Sequence, residues 1–339
     1  MKQSKSKFCV LGATSFGGRS VTESLLADGH SVLGVGRRDL PLEPFEINSQ
    51  KLENLEWVKA DIVLETNRLI ERVNAFKPEF IIDFMGQGMV AESWNAPYQW
   101  YHTNLSKKSE FISKIKWENF LRIYIRISTP EVFGSVEDLI TEEHSFNPST
   151  PYALSHSSID QHLELYANQT NFPFIISRYS NFYGPGQQLY RIIPKALYLG
   201  ITGGKLTLDG GGISERSFIY KEDIASSINS IVSKGKVGET YHFTDSNCTS
   251  IKHLIKKVSS VCDIDFENFT IEGKERFGKD QRYFMSSQKV NNLLNWHPKT
   301  SLDDGIKKTL SWVRKIKHLI KPEFLQYHHI YRDYNEPNY

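Results

Sequence analysis

Residues 8–18 read Phe8-Cys9-Val10-Leu11-Gly12-Ala13-Thr14-Ser15-Phe16-Gly17-Gly18, and this stretch decides the fold. A short apolar run ends at a glycine. Two more glycines open an amphipathic run through Leu25, Leu26 and Ala27, which Asp28-Gly29 stops. Residues 31–35 form a second apolar run. Strand, glycine turn, helix and strand in that order begin a right-handed βαβ unit. In such a unit Gly12 permits the tight turn, and Gly17 or Gly18 lets the helix N-terminus approach a pyrophosphate. Gly12, Thr14, Ser15, Phe16 and Gly18 are therefore candidate dinucleotide contacts. The spacing is G-x-x-S-x-x-G, with Ser15 where a middle glycine is expected.

The second strand ends in Gly36-Arg37-Arg38. An acidic residue at this distance would bind the ribose 2′-hydroxyl of NAD, whereas arginine suits a 2′-phosphate, so Arg37 and Arg38 favour NADP. Asp39 keeps NAD open. The alternation then continues with a strand at 55–58, Asp61 placed to accept from an adenine amine beside Ile62, a helix at 69–76 and a strand at 80–84. Met85-Gly86-Gln87-Gly88 is a second small-residue turn. A long helical segment (97–115), a buried strand (122–128), a helix (151–168) and a strand (172–177) follow. Strands alternating with helices at this spacing indicate a doubly wound parallel sheet.

Past Arg178 the pattern changes to Asn181-Phe-Tyr183-Gly184-Pro185-Gly186, a turn-rich departure point for a smaller mixed α/β lobe. The expected division is a dinucleotide-binding domain over 1–185 with 217–247 returning to it. A substrate lobe takes 186–216 and 248–318, including a polar loop at 276–282, and an aromatic tail takes 319–339. The tail segment Tyr327-His-His-Ile-Tyr331-Arg-Asp-Tyr334 has adjacent histidines, so it reads as surface packing and not as a metal site.

Composition narrows the class. A net charge of +2 with 24% charged residues marks no nucleic-acid binder. No apolar run approaches the roughly 20 residues that cross a bilayer. The charged start, residues 1–7, leads into a strand and not into a signal-peptide core. Cys9, Cys248 and Cys262 are odd in number and lack ligand spacing, which argues against disulfides and against bound metal. A cytoplasmic enzyme or binding protein is the expectation.

Chemistry gathers in two places. The strand at 122–128 ends in Ser128-Thr129-Pro130-Glu131, and the helix after it opens Pro151-Tyr152-Ala-Leu-Ser-His156. Tyr152 and His156 are four apart and share a helix face. A phenol beside a basic ring, with a hydroxyl and a carboxylate near, forms an acid/base cluster. Pairs at this spacing also arise by chance, so position carries the reading: open α/β sheets bind ligands beyond the carboxyl ends of their strands.

The stretches STPEVFGS, TPYALSHSSIDQHL, SRYSNFYGPG, RSFIYKEDIA and NWHPKTSLDDGIKKTLSWV, in that order and spacing, resemble the extended short-chain dehydrogenase/reductases that act on nucleotide sugars, most nearly the 4,6-dehydratases. The similarity spans residues 8–312. It implies a Rossmann-type fold, a bound NADP or NAD, a nucleoside-diphosphate sugar substrate and a homodimer built on the helices at 97–115 and 152–168. It also implies that Thr129 and Tyr152 contact the sugar C4 hydroxyl, with Tyr152 as base and His156 beside it. Met85, Gly86, Tyr152 and His156 would border the cofactor. Gln87, Ser128, Asn181, Arg191, Arg216 and Arg282 would hold the substrate. Glu131 would remove the C5 proton once C4 is a ketone, as water leaves C6. Two positions depart from the pattern. His156 replaces a lysine that binds the ribose and lowers the tyrosine's pKa, and Pro130 replaces an aspartate acid of the glucose dehydratases. Epimerase, uronate decarboxylase and a non-catalytic binding protein are the alternatives.

Overall fold

The computed structural model describes residues 5–40, 44–47, 50–245, 247–275 and 280–331. Residues 1–4, 276–279 of the polar loop and 332–339 of the tail lie outside them. The N-terminal half runs β1 (Lys7–Leu11), α1 (Phe16–Ala27), β2 (Ser31–Gly36), β3 (Leu55–Lys59), α2 (Thr66–Phe76) and β4 (Phe80–Asp83). Helix α3 (Pro97–Tyr101) then passes through a π-helical turn (His102–Lys107) into α4 (Lys108–Lys114), followed by β5 (Ile123–Ser128), α5 (Pro151–Thr170) and β6 (Phe174–Tyr179). Next come β7 (Asn181–Tyr183), α6 (Ile192–Thr202), β8 (Leu206–Asp209), β9 (Glu215–Arg216), β10 (Phe218–Tyr220), α7 (Lys221–Lys234) and β11 (Thr240–Phe243). The chain closes with β12 (Thr249–Ser250), α8 (Ile251–Cys262), α9 (Phe266–Phe269), β13 (Thr270–Gly273), α10 (Gln288–Leu294) and α11 (Leu302–Ile316).

Seven strands form one parallel sheet in the order β11-β6-β5-β4-β1-β2-β3. This is the Rossmann-type doubly wound sheet. The order reverses between β1 and β4, in register Phe8↔Phe80 to Leu11↔Asp83, which opens the ligand crevice at the carboxyl ends of those two strands. Apolar layers cover both faces. Val10, Val32, Leu25, Ile224 and Ile228 pack on one side, and Cys9, Leu33, Leu69, Ile112, Ile159 and Leu163 on the other. The strands read as near-continuous apolar runs because helices bury both faces.

Outside the main sheet, short pairings of β8 with β13 in parallel and of β9 with β12 antiparallel accompany a further apolar core of Leu206, Leu254, Ile255, Val258 and Ile306. Helix α5 starts where Thr150 Oγ1 accepts from Ala153 N at 3.1 Å, with Pro151 in the first turn, and stops at Asn171 in the left-handed region (φ 61°). That cap sets the orientation from which Tyr152 and His156 leave the helix. Among the described residues, no helix is long and apolar enough to cross a membrane.

Candidate active site

The glycine turn is held by packing against its own chain. Gly12 has φ +77°, and a Cβ there would lie 2.9 Å from Met85 N of the neighbouring turn. A Cβ on Gly18 would lie 2.3 Å from Gly12 O, and one on Gly17 would strike the Phe84 ring. Ser15, in the place of the middle glycine, is the N-cap of α1: its Oγ accepts from Gly18 N at 3.1 Å. The serine thus fastens the turn and does not disrupt it. Thr14 packs against Gly36 at the end of β2, and Phe16 is buried. Beyond Gly36, Arg37 and Arg38 are exposed, while Asp39 pairs with Lys59 at 2.9 Å. Asp61 Oδ1 accepts from Val63 N at 2.9 Å, and Ile62 packs in the core.

The turn after β4 is clamped from the helix opposite. Asn104, on the π-helical turn, accepts from Gln87 N at 2.7 Å and donates to Gln87 O at 3.1 Å and to Ser155 Oγ at 2.9 Å. Met85 N donates to Asp83 Oδ1 at 2.9 Å, which fixes Met85 and Gly86 at the mouth of the crevice.

Thr129, Glu131 and Tyr152 converge beyond β5. Thr129 Oγ1 caps the short turn that carries Glu131, accepting from Glu131 N at 3.3 Å, and shares a hydrogen bond with Tyr152. Burial raises the Tyr152 phenol above its ordinary value, and Glu131 adds to the rise. Glu131 Oε2 is enclosed and has no hydrogen-bond partner. Burial pushes this carboxyl up to about 7, against the pull of Arg216 and Arg191. Pro130 lies buried between these groups in sequence and offers no acid.

His156 is buried with its ring 4.4 Å from that of Tyr152, and its Nδ1 lies 2.8 Å from Nη2 of Arg126. Burial first, then Arg126, Lys108 and Arg178, hold it well below the usual imidazole value, so the ring is neutral. The structure turns Ser128 inward, where its hydroxyl donates to Asp160.

Asn181 is exposed at the start of β7. Arg216 lies 4.3 Å over the Tyr283 ring and donates to the carbonyl oxygens of Asp280 (2.7 Å) and Gln281 (3.1 Å). Arg282 pairs with Glu215 at 3.1 Å. Arg191 lies over Tyr190 and acts electrostatically on Glu131, Tyr152 and Tyr327. A crevice with basic groups on one side, a glycine turn on the other and an acid/base cluster between them fits a dinucleotide and a diphosphate sugar meeting at the cluster.

Sequence comparison points the same way. The family model for GDP-mannose 4,6 dehydratase matches residues 9–309. The chain belongs to this dehydratase family. A human dTDP-D-glucose 4,6-dehydratase is 28% identical over 319 residues, covering 91% of this chain and 90% of that one. An Arabidopsis thaliana trifunctional enzyme with UDP-glucose 4,6-dehydratase activity is 28% identical over 265 residues, covering 76% of this chain and 39% of that one. Among solved structures, a dTDP-glucose 4,6-dehydratase from Streptomyces venezuelae with NAD bound superposes with a TM-score of 0.83 at 23% identity, covering 93% of this chain and 99% of that one. A Thermotoga maritima UDP-glucose 4-epimerase reaches 0.81 at 24% identity, covering 92% and 99%. At that identity these structures show the shared fold.

Two parts of this dehydratase-family site escaped sequence reasoning. The first is the buried group Arg126, Asp160 and Arg178, whose signal was a charge inside an otherwise apolar strand. The second is the tail, which was expected merely to pack on the surface. His329 instead stacks on Trp100 (4.9 Å between centroids) and lies 3.2 Å from Gln87 Nε2 and 3.0 Å from Gln99 Oε1. Tyr331 Oη accepts from Asn95 at 3.0 Å, and Tyr327 packs on Tyr190. Tyr327 and His329 are half-buried and alternate with exposed His328 and Ile330, so the tail forms an extended strap beside the Gln87 turn.

Proposed function

We propose that the protein is a nucleotide-sugar 4,6-dehydratase that converts a nucleoside-diphosphate hexose to its 4-keto-6-deoxy form. The observation that carries this reading is Glu131. Its enclosed, unpartnered oxygen and a pKa near 7 suit a carboxylate that takes a proton at neutral pH. A 4-epimerase needs no such base, because its keto intermediate only rotates.

In this reading the glycine turn Gly12–Gly18 and the N-terminus of α1, whose first backbone N–H groups lack helical partners, hold the pyrophosphate. Asp61, Ile62, Met85 and Gly86 border the rest of the dinucleotide. A bound nicotinamide cofactor would supply the hydride relay from C4 to C6 without being consumed. Tyr152, supported by Thr129, accepts the C4 hydroxyl proton. The resulting ketone acidifies C5; Glu131 removes that proton and hands it to the hydroxide leaving C6, so that water departs, and the proton Tyr152 took from C4 returns through solvent to C5 as C6 receives hydride. Arg191, Arg216, Arg282 and Asn181 bind the diphosphate and nucleotide, and Gln87 borders the sugar, while Ser128, turned inward to Asp160, does not reach it.

Arg37 and Arg38, exposed where Asp39 is already tied to Lys59, support NADP as the preferred cofactor, although the similar solved structures carry NAD. Free Cys9, Cys248 and Cys262 agree with a cytoplasmic location. The exposed apolar residues Leu154 and Leu165 on α5 and Tyr98 on α3 support a homodimer through these helices, which a mass measurement in solution tests.

The deciding experiment is incubation of the purified protein with dTDP-, UDP- and GDP-hexoses and mass spectrometry of the products. Loss of one water supports the reading. Unchanged mass with altered configuration overturns it in favour of an epimerase, and loss of carbon dioxide from a uronic acid in favour of a decarboxylase. Binding without turnover on any of these substrates leaves a non-catalytic protein.

A further inference from the structure

Parallel sheets seldom carry charge beneath a helix, yet this one does. Arg126 of β5 and Arg178 of β6 are buried under α5, where Asp160 meets both, 3.3 Å from Arg126 Nε and 2.9 Å from Arg178 Nη2. Alongside, buried Lys108 pairs with buried Asp83. Among these buried side chains three cations thus face two carboxylates, a surplus of one positive charge. A buried surplus charge is costly unless something nearby makes use of it.

Arg126 also donates through Nη1 to Ile127 O and meets His156 through Nη2. A guanidinium can only donate hydrogen bonds, so Nδ1 of His156 must present its lone pair to Arg126 Nη2, and the ring proton must sit on Nε2. Protonating Nδ1 would set two N–H groups against each other and add a second unmatched charge among Arg126, Lys108 and Arg178. On the open side the ring meets Tyr152. His156 is therefore one tautomer of a neutral ring, fixed from behind.

We propose that Arg126 is a positioning residue of the active site, locking His156 as an Nε2–H donor toward the nicotinamide ribose while its own guanidinium provides the buried positive charge that favours the Tyr152 phenolate. Two residues share the work that a single ammonium group at position 156 would do alone. The inference rests on Tyr152 being the base, as proposed above, and on the crevice binding a dinucleotide.

The charge count makes it testable. His156→Lys raises the surplus from one to two, Arg126→Leu lowers it to zero and leaves Asp160 paired with Arg178, and the double variant restores one. His156→Lys alone should melt lower than the parent and bind NADP and NAD about tenfold or more weakly, because the new ammonium group is forced to shed its proton or leave the pocket. Arg126→Leu in the His156→Lys background should recover both properties. In the unmodified protein, nitrogen NMR of labelled histidines, assigned with His156→Asn, should show His156 neutral and protonated on Nε2 from about pH 6 to about pH 9. Where turnover is measured, Arg126→Leu should move the alkaline rise of activity to higher pH. A His156 that titrates in that range overturns the proposal. So does a His156→Lys variant as stable and as tightly bound as the parent, or a double variant no better than His156→Lys. Melting, titration and cofactor binding need no sugar, so they judge the Arg126–His156 pair even if the sugar chemistry fails.

Discussion

Replacing Glu131 by glutamine should make the protein more stable, and by an amount that grows with pH. The carboxyl is raised from 4.5 to about 7 by burial. Below the lower value both folded and unfolded chains carry the proton, and the substitution changes little. Between the two values the unfolded chain gives up the proton while the folded chain keeps it, so stability falls as pH rises. Above about 7 the folded chain bears the full cost of a buried carboxylate. At about 1.4 kcal/mol for each tenfold in proton affinity, the ceiling is about 3 kcal/mol. Glutamine keeps the shape and never ionises. For a chain of this length, each kcal/mol moves the melting temperature by roughly 2 °C. Scanning calorimetry of parent and Glu131→Gln at about pH 5 and about pH 8.5 should therefore show a small gap at the first and a gap of about 6 °C at the second. An equal gap at both would refute the picture of a carboxylate held against its solvation. Loss of dehydration in the same variant would tie that cost to function, as expected where stability and activity trade against each other.

Three further outcomes are expected. Tyr152→Phe should cut turnover by about 10²–10⁴-fold with cofactor binding retained by calorimetry, since only a positioned proton acceptor is lost. Arg37→Glu combined with Arg38→Glu should weaken NADP by about tenfold or more and leave NAD binding nearly unchanged, because a phosphate contact is charge-assisted and the ribose hydroxyl is not. His329→Ala should lower stability by about 1–2 kcal/mol, read as a shift in thermal melting, through loss of the Trp100 stack and the contacts to Gln87 and Gln99.

What the sequence disclosed followed from local rules. The turn at Gly12–Gly18 and the alternation of apolar runs and helical patterns act within a few residues of themselves, so their reading needs no partner. Ser15 shows the limit of motif matching: as a missing glycine it looked like a defect, whereas as an N-cap it is an ordinary part of the turn. The buried cluster was harder. Arg126, Asp160 and Arg178 are separated in the chain and meet only because β5, β6 and α5 stack. A charge in an apolar strand signals a partner without naming it. The strap was harder still. His329 finds Gln87 across 242 positions, and the segment has no period that would announce a docking face.

The helix from Pro97 to Lys114 carries a wider turn in its middle, and that turn sets a phase. Each residue of a regular α-helix advances the side chains by about 100°. Deleting one residue between 102 and 107 would re-register all that follows by that angle. Lys108 would swing away from Asp83 and strand a buried carboxylate, and Phe111 and Ile112 would rotate out of the apolar layer. A substitution at most positions in the turn would be absorbed locally, while a gap of one would be felt across the whole helix. Selection on the buried Lys108–Asp83 pair would thus act on the length of this turn more than on the identity of its residues.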